Sequence, residues 1–216
     1  MNNRSNIIRV LLVDDHAVVR TGYKNLLEDQ SNIQIVGEAP SGETACKSYL
    51  EQQPDVVIMD LSLPGIGGLE AIRRIRGRDP EAKILVFSMH EDPVFVEQAL
   101  QAGAKGYIPK STAAEDMVEA VQKVAKGEVH LSPEIAQRLA VQKTRGSDMP
   151  FENLSTREFE IFCLLAEGAN VATIAERLSL SYKTVANYST QIKNKLEVNT
   201  TAELARLAIR HGLVQA

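Results

Sequence analysis

Carboxylate, hydroxyl and ammonium side chains follow directly after short apolar runs at four places in the chain. Asp14 and Asp15 follow one run, Asp60 and Ser88 follow two others, and Lys110 lies just past a fourth. Carboxylates that converge repel one another unless a cation neutralises them, and an oxygen site with positions left for water and phosphate suits Mg²⁺. A carboxylate can carry an acyl phosphate as a nucleophile, while an ammonium and a hydroxyl bind the phosphoryl oxygens. Brought together by the fold, these residues would form a phosphoryl-transfer site.

The apolar runs have the composition of strands that are covered on both faces. The runs at 8–13, 56–59 and 84–87 are continuous and rich in β-branched residues, and those at 33–36 and 107–108 are weaker candidates. Because helical patterns alternate with them, we predict a parallel sheet with helices on both faces, whose strands share one carboxyl edge. The helical patterns cover 18–27, 43–52, 69–76, 93–101 and 113–126, the last with a predicted cap at 111–115 and a stop at Gly127.

The chain changes character between residues 128 and 150. A short helical pattern begins at Ser132, and the residues after that pattern are polar. This combination predicts an interdomain linker. Every later pattern is helical, and two short helices joined by three residues have the spacing of a helix-turn-helix. The later helices begin at a Ser155 cap with Glu158 three residues on, and continue at 171–178, 182–196 and 201–211.

Composition limits the class of protein. A chain of 216 residues with 44% hydrophobic residues is long enough for two small folded domains. It has no apolar run near the roughly 20 residues that span a bilayer, and no signal-peptide pattern. Cys46 and Cys163 show no ligand or redox spacing, so we expect buried thiols in a reducing cytoplasm. The net charge is −4, yet residues 177–210 hold six basic and two acidic side chains, which predicts one anionic partner.

Four motifs in the first half of the chain occur in a fixed order. They are V-D-D-H (13–16), I-M-D-L-S-L-P-G (58–65), F-S-M-H (87–90) and G-Y-I-P-K (106–110). Together they resemble the receiver domain of two-component response regulators over about residues 7–126. The resemblance implies a flavodoxin-like (βα)5 domain at residues 1–127 that receives phosphate from a sensor histidine kinase with Mg²⁺ as cofactor.

Carried over motif by motif, the resemblance gives a role to each residue at the expected sheet edge. This sequence departs from the family at Gly67, where relatives often have Asp, and at Leu63, where many have Met; neither residue takes part in the chemistry. The implied roles are phosphoacceptor for Asp60, Mg²⁺ ligand for Asp14, Asp15, Asp60 and the Ser62 backbone carbonyl, switch hydroxyl for Ser88, the aromatic that moves with it for Tyr107, and phosphate-facing cation for Lys110.

A second set of motifs lies in the last quarter of the chain. It comprises L-S-T-R-E (154–158), I-A-E-R-L (174–178), K-T-V (183–185), K-L (195–196) and H-G-L-V (211–214). These resemble the four-helix DNA-binding domain of the NarL/FixJ (LuxR-type) regulators. The resemblance implies an all-α helix-turn-helix domain at residues 151–216 that binds double-stranded DNA and regulates transcription. It also implies a homodimer on phosphorylation, through surfaces around Tyr107 or residues 201–211, with RNA polymerase as a further partner and no membrane partner.

In this geometry the helix at 182–195 enters the major groove. Val185, Ile192 and Leu196 repeat at helical spacing and should face the core, which leaves the opposite face for DNA. Asparagine, threonine and lysine can contact base edges, whereas Thr184 and Lys195 are better placed for phosphates. Many relatives carry a lysine where this chain has alanine at position 186. The predicted DNA-binding residues are Lys183, Thr184, Ala186, Asn187, Thr190, Lys193 and Lys195, with Asn194 on the same face.

Other interpretations compete with these. A small-molecule phosphatase with an aspartate nucleophile commonly has an acid two residues later, where this chain has Ser62. The receiver could also serve only as an interaction module, although the complete set of site residues argues against it. An Asp-Asp pair after a strand is often a helix cap, and a lysine-bearing helix face is often merely solvated. The run at 64–68 lacks the spacing and lysine of a phosphate loop and predicts a turn, and His16 and His90 are expected to be solvated or capping rather than metal ligands.

Overall fold

A computed structural model describes residues 7–144, 150–151 and 153–214. The polar N-terminal residues 1–6 and most of the polar end of the predicted linker, 145–149, lie outside the described residues. The first domain is built on six strands, and the strands that were predicted from β-branched runs all form. The strands are β1 (Ile8–Val13), β2 (Ile33–Ala39), β3 (Val56–Met59), β4 (Ile84–Ser88), β5 (Gly106–Pro109) and β6 (His130–Leu131).

The strands form one parallel sheet in the order β2-β1-β3-β4-β5-β6. Strands β1, β3, β4 and β5 are therefore neighbours, and their carboxyl ends lie side by side at one edge. Strand β6 was not predicted, because its two residues lie in the segment that reads as the start of the linker. It pairs with β5 at Gly106 and Tyr107, so the sheet continues into the linker and Tyr107 lies on an inner strand.

Helices cover both faces of this sheet, as the alternating pattern predicts. One difference concerns α5, which begins after Ala113 without a side-chain cap, so the expected cap at 111–115 is wrong. Its end is as predicted, since Gly127 adopts a φ of +84°. The helices are α1 (Ala17–Glu28), α2 (Gly42–Gln52), α3 (Gly67–Arg78), α4 (Pro93–Ala102) and α5 (Ala114–Ala125).

Five further helices follow in the part of the chain that the structure describes. The predicted linker helix is α6, and it packs against α4 of the first domain. The Ser155 cap forms as predicted, with the reciprocal bonds to Glu158 that define a capping box. These helices are α6 (Pro133–Thr144), α7 (Thr156–Ala166), α8 (Val171–Arg177), α9 (Tyr182–Lys195) and α10 (Thr201–Arg210).

Two hydrophobic cores flank the sheet. The smaller core lies between the sheet and the helices α1 and α5. The larger core lies between the sheet and α2, α3 and α4, and it continues without interruption into the C-terminal helices. Phe95 of α4 and Phe159 of α7 join the two parts, with ring centroids 5.1 Å apart in an edge-to-face arrangement. Within the described ranges, none of the helices has the length and apolarity to span a bilayer.

Candidate functional site

The predicted phosphoryl-transfer residues meet at the carboxyl edge of the sheet. Asp14 follows β1 and Asp60 follows β3, and each is 2% exposed. The ammonium of Lys110, just past β5, lies 2.5 Å from Asp14 Oδ2 and 2.6 Å from Asp60 Oδ2. Three strands that are distant in sequence thus place two carboxylates around one cation. This is the arrangement that the strand ends predict.

This buried group holds more carboxylates than ammonium groups, and the pKa values of its members reflect that imbalance. Burial raises the pKa of Asp60, and the hydrogen bond from Lys110 opposes the shift without cancelling it. Burial also disfavours the charge on Lys110, but its bonds to Asp14 and Asp60 raise its pKa. One ammonium therefore serves two buried carboxylates, and a further cation would lower the energy of the site.

A divalent cation fits the acidic side of this edge. Asp14, Asp15 and His16 each offer a ligand atom, and these atoms lie within 4.8 Å of one another. His16 Nδ1 is 2.7 Å from Asp15 Oδ1 and 3.3 Å from Asp14 Oδ1, although sequence reasoning set this histidine aside. The Ser62 backbone N–H donates to Asp60 Oδ1 at 3.2 Å, which orients the carboxyl group and its loop. Oxygen donors with excess negative charge suit Mg²⁺.

The predicted switch residues form one hydrogen-bonded group beside the carboxylates. Ser88 is fully buried at the end of β4, and its hydroxyl accepts a bond from the backbone N–H of His90 at 3.2 Å. Tyr107 is also fully buried, and its hydroxyl donates to the carbonyl oxygen of His90 at 2.6 Å. Burial raises the pKa of Tyr107. The backbone of His90 therefore connects the hydroxyl of β4 with the aromatic ring of β5.

His90 also connects this edge to the second domain, a link that sequence reasoning missed. Its Nε2 lies 3.2 Å from the hydroxyl of Ser62, and its ring stacks on Phe95 at a centroid distance of 4.0 Å. Phe95 in turn contacts Phe159 of α7. Burial lowers the pKa of His90. The only sequence signal was its position two residues after Ser88, which does not reveal a contact across domains.

Helix α9 presents the face that the helical spacing predicts. Val185, Ile192 and Leu196 are buried against α7 and α8, together with Ser189. The first helix of the pair, α8, ends before a turn in which Ser179 adopts a φ of +52°. The opposite face of α9 is open: Lys183, Asn187, Thr190 and Asn194 are exposed, and Thr184, Ala186 and Lys193 are partly exposed.

Three of the predicted DNA-binding side chains have partners within the chain. Thr184 takes part in the α9 cap with Ser181, and Thr190 donates its hydroxyl proton to the carbonyl of Ala186 at 3.1 Å. Lys195 Nζ lies 2.6 Å from the capping-box carboxylate of Glu158, with 40% of its side chain still exposed. Lys183 and Asn187 therefore have the most freedom to meet DNA among the predicted residues near the start of α9.

The second domain lies over the loop that joins β3 to α3. The backbone N–H of Gly65 donates to the carbonyl of Arg177 at 2.8 Å. Arg157 of α7 donates to the carbonyls of Ile66 and Leu178 at 3.3 and 3.0 Å. A cavity of about 410 Å³ remains between the two domains, with Ser62 and His90 on one wall. The predicted turn at 64–68 is thus also an interdomain contact.

Two family models match the chain, one for each domain. Residues 10–122 match the response regulator receiver domain. Residues 152–208 match the bacterial regulatory proteins of the luxR family. Together the two models account for most of the chain, and their order is the one that the motifs predicted.

Relatives with the same two-domain length are similar to this chain. Response regulator GacA of Pseudomonas aeruginosa is 43% identical over 212 residues, which cover 97% of this chain and 99% of that protein. Response regulator UvrY of Escherichia coli K12 is 42% identical over 212 residues, which cover 97% of each.

Solved structures agree in fold. RcsB of Salmonella enterica serovar Typhimurium, bound to the promoter P1flhDC in the presence of the phosphomimetic BeF3⁻, aligns with a TM-score of 0.70 at 27% identity, covering 98% of this chain and 100% of RcsB. A LuxR-family two-component response regulator from Aurantimonas sp. SI85-9A1 aligns with a TM-score of 0.62 at 43% identity, covering 64% of this chain and 99% of that one.

Proposed function

This chain belongs to the two-component response regulators that carry a luxR-family DNA-binding domain and regulate transcription, and we propose that phosphorylation of Asp60 controls its binding to DNA. The observation that supports this most directly is the buried group of Asp14, Asp60 and Lys110 at the sheet edge. Placed in this group, Asp60 is a nucleophile beside a cation that can bind phosphoryl oxygens.

In the proposed transfer, a carboxylate oxygen of Asp60 attacks the phosphorus of a phosphohistidine in a sensor kinase. The phosphorus–nitrogen bond breaks, the nitrogen keeps the electron pair, and an acyl phosphate forms on Asp60. Lys110, whose ammonium lies 2.6 Å from Asp60 Oδ2, would then pair with the phosphoryl oxygens. A kinase is the proposed donor because the relatives are response regulators.

Mg²⁺ is the proposed cofactor. Asp14, Asp15 and the Asp60 carboxylate would hold it, with the backbone carbonyl of Ser62 as a further ligand. When bound, it would neutralise charge on the transferring phosphoryl group. The excess of carboxylates over ammonium groups at this edge supports the proposal. His16 Nδ1, close to Asp14 and Asp15, would orient these two carboxylates rather than bind the metal.

Ser88 and Tyr107 are the proposed switch. A phosphoryl group on Asp60 offers acceptors for the Ser88 hydroxyl, which now faces the His90 backbone. Any movement of Ser88 also changes the position of His90, to which Tyr107 is hydrogen-bonded. The linked movement would change the surface formed by the end of β5. We propose that this change favours a homodimer.

The second domain is proposed to read DNA through α9. Lys183, Ala186, Asn187, Thr190 and Lys193 would lie in the major groove, because they share the face opposite the buried residues of that helix. Thr184 and Lys195 would bind phosphates, and Lys195 would keep part of its bond to Glu158 while doing so. A dimer would bind two half-sites about one turn of DNA apart or closer, and RNA polymerase would be a further partner.

Phosphorylation with acetyl phosphate tests the proposal. With Mg²⁺ present, the protein should gain one phosphoryl group that is stable in acid and labile to hydroxylamine. EDTA should prevent the labelling in the natural chain, because the carboxylates would then lack their divalent cation. Asp60→Asn should also abolish it, and Asp55→Asn, at a carboxylate before β3, is the matched control that should leave it intact. Labelling that persists in Asp60→Asn would contradict the assignment.

A further inference from the structure

Gly67 lies in a notch on the first domain that only a glycine leaves open. It adopts a φ of +67° at the start of α3, and a β-carbon added there would overlap Glu160 Oε1 of α7. The carboxylate of Glu160 therefore occupies the space where another residue would place its side chain. We call this space, between the Gly67 α-carbon and α7, the Gly67 notch.

Glu160 is held deep in the contact between the domains. Its side chain is 14% exposed, and Arg157 Nη1 lies 2.6 Å from its Oε2. Its Oε1, over Gly67, is buried and accepts no hydrogen bond from any residue that the structure describes. A charged carboxylate in such a place is unfavourable, because the bond to Arg157 offsets only part of its loss of water, and the neutral carboxyl form is favoured.

The notch is bordered by two hydrogen bonds that fix the same loop to the second domain. Arg157 donates to the Ile66 carbonyl, and the Gly65 N–H donates to the Arg177 carbonyl. The receiver contributes only backbone atoms to these bonds, so they impose little demand on its own sequence. Gly67 is different, because almost any other residue there would occupy the space that Glu160 fills.

We propose that the Gly67 notch is a docking site on the receiver for the Glu160 carboxyl group of the same chain, and that the absence of a side chain at position 67 decides whether the two domains dock. An aspartate at this position would place a second carboxylate against Glu160 and separate the domains. Docking of the DNA-binding domain then depends on one glycine and one glutamate.

The charges around Glu160 make this docking sensitive to protons. Burial raises the pKa of Glu160 to about 7, with Arg157 opposing the shift and Glu70 of α3 adding to it. Arg74 of α3 lowers the pKa slightly, and Arg177 of α8 lies on the same cavity. A carboxyl whose pKa is higher when docked binds a proton on docking, so docking weakens as the pH rises from about 4.5 through 7. The titration of Glu160 alone should lower the equilibrium constant for docking about tenfold between pH 6 and pH 8.

Other titrating groups lie at the domain contact and must be separated from Glu160. His90 lies on the same cavity, and Asp92 at the start of α4 faces His211 after α10. Burial lowers the pKa of both histidines and raises that of Asp92. The variant Glu160→Gln keeps the shape of the side chain and removes its ability to ionise, so the difference from the natural chain isolates this group.

Small-angle X-ray scattering of the full unphosphorylated chain tests the docking site. We expect a compact particle for the natural chain and an expanded one for Gly67→Asp. In the background Glu160→Ala, the same change at Gly67 should no longer expand the particle, because the new carboxylate then has the space and Arg157 as its partner. A compact Gly67→Asp chain, or an expanded double variant beside a compact Glu160→Ala, would overturn the proposal.

A second measurement leaves Gly67 in place and so avoids any effect of that substitution on folding. In the same scattering measurement, the equilibrium constant for docking of the natural chain should fall about tenfold between pH 6 and pH 8. This fall is beyond whatever change Glu160→Gln shows over the same range. An identical pH dependence for the two chains would overturn the proposal. Neither measurement requires phosphate, so a failure of the proposed phosphorylation of Asp60 would leave both results unaffected.

Discussion

Replacing Lys110 by methionine tests whether one ammonium stabilises two buried carboxylates. In the natural chain its Nζ lies 2.5 Å from Asp14 and 2.6 Å from Asp60, and both carboxylates are almost fully buried. Methionine keeps much of the length and apolar surface of lysine and removes the charge. The receiver should therefore lose stability mainly because two carboxylates then lack their partner.

Two limits set the size of this loss. Removing one partner of a buried ion pair costs about 3–5 kcal/mol. The variant can instead protonate a carboxyl, which costs about 1.4 kcal/mol for each pH unit above an ordinary aspartate pKa of about 3.9, hence about 4 kcal/mol at pH 7. We expect Lys110→Met to lose about 3–4 kcal/mol at pH 7 and about 1.5 kcal/mol at pH 5. The sign follows because the variant raises the pKa of Asp60 further, and such a group loses stability as the pH rises.

Hydrogen exchange at the backbone amides of β1 and β3 gives the free energy of unfolding of the receiver itself. It should be measured in EDTA at both pH values for Lys110→Met and for Lys126→Met, an exposed control that should stay within about 0.5 kcal/mol of the natural chain. Added Mg²⁺ should stabilise Lys110→Met more than the natural chain, since no lysine then competes for the carboxylates. A loss below about 1 kcal/mol at pH 7, or one that does not depend on pH, would refute this reasoning.

Three further predictions concern DNA and assembly. Asn187→Ala should cost about 1–3 kcal/mol on a specific duplex and relax base preference there, and an equal loss on a scrambled duplex would contradict base contact. Lys195→Ala should weaken binding to all duplexes alike and reduce the salt dependence by roughly one phosphate contact; a sequence-dependent loss would argue against a phosphate role. Light scattering should show a dimer on phosphorylation. A phosphorylated protein that stays a monomer with DNA present would contradict the proposed dimer.

The site at the sheet edge could be predicted because a parallel sheet leaves few arrangements. Once β1, β3, β4 and β5 are assigned, the residues that follow them must lie at one edge. The side chains of Asp60 and Lys110 meet there although 50 residues separate them. The open face of α9 was predictable for a similar reason, since helical spacing alone separates its buried side from its exposed side.

Contacts that depend on how elements pack could not be predicted in this way. Strand β6 has only two residues, too few for any period to show, and forms because β5 offers an unpaired edge. The pairing of Lys195 with Glu158 joins residues that each have an ordinary role in their own helix, one in the last turn and one in a cap. No pattern in a single helix indicates such a pair.

The departure at Gly67 is the one sequence signal that pointed to the domain contact, and it was interpreted only as a residue without a chemical role. Its significance depends on Glu160, which reads in the sequence as a polar residue inside a helix. The two residues lie in separate domains, and the docking of two folded domains does not follow from the periodicity of either. A departure from the family resemblance at a residue without a chemical role therefore marks a place to look for a contact from elsewhere in the chain.

If Asp60 is phosphorylated as proposed, the loop between β3 and α3 would give that change a short route to the DNA-binding domain. Gly68 lies so close to the carbonyl of Asp60 that an added β-carbon would overlap it, so the start of α3 packs directly on the backbone of Asp60. Gly65, three residues earlier, is bonded to the end of α8, and Arg157 binds the carbonyl that precedes α9 by a short turn. A shift of this loop would strain those bonds and disturb the fit of Glu160 in the Gly67 notch at the same time. Because both effects favour separation of the domains, a phosphoryl group on Asp60 and an acidic side chain at position 67 should act in the same direction on docking.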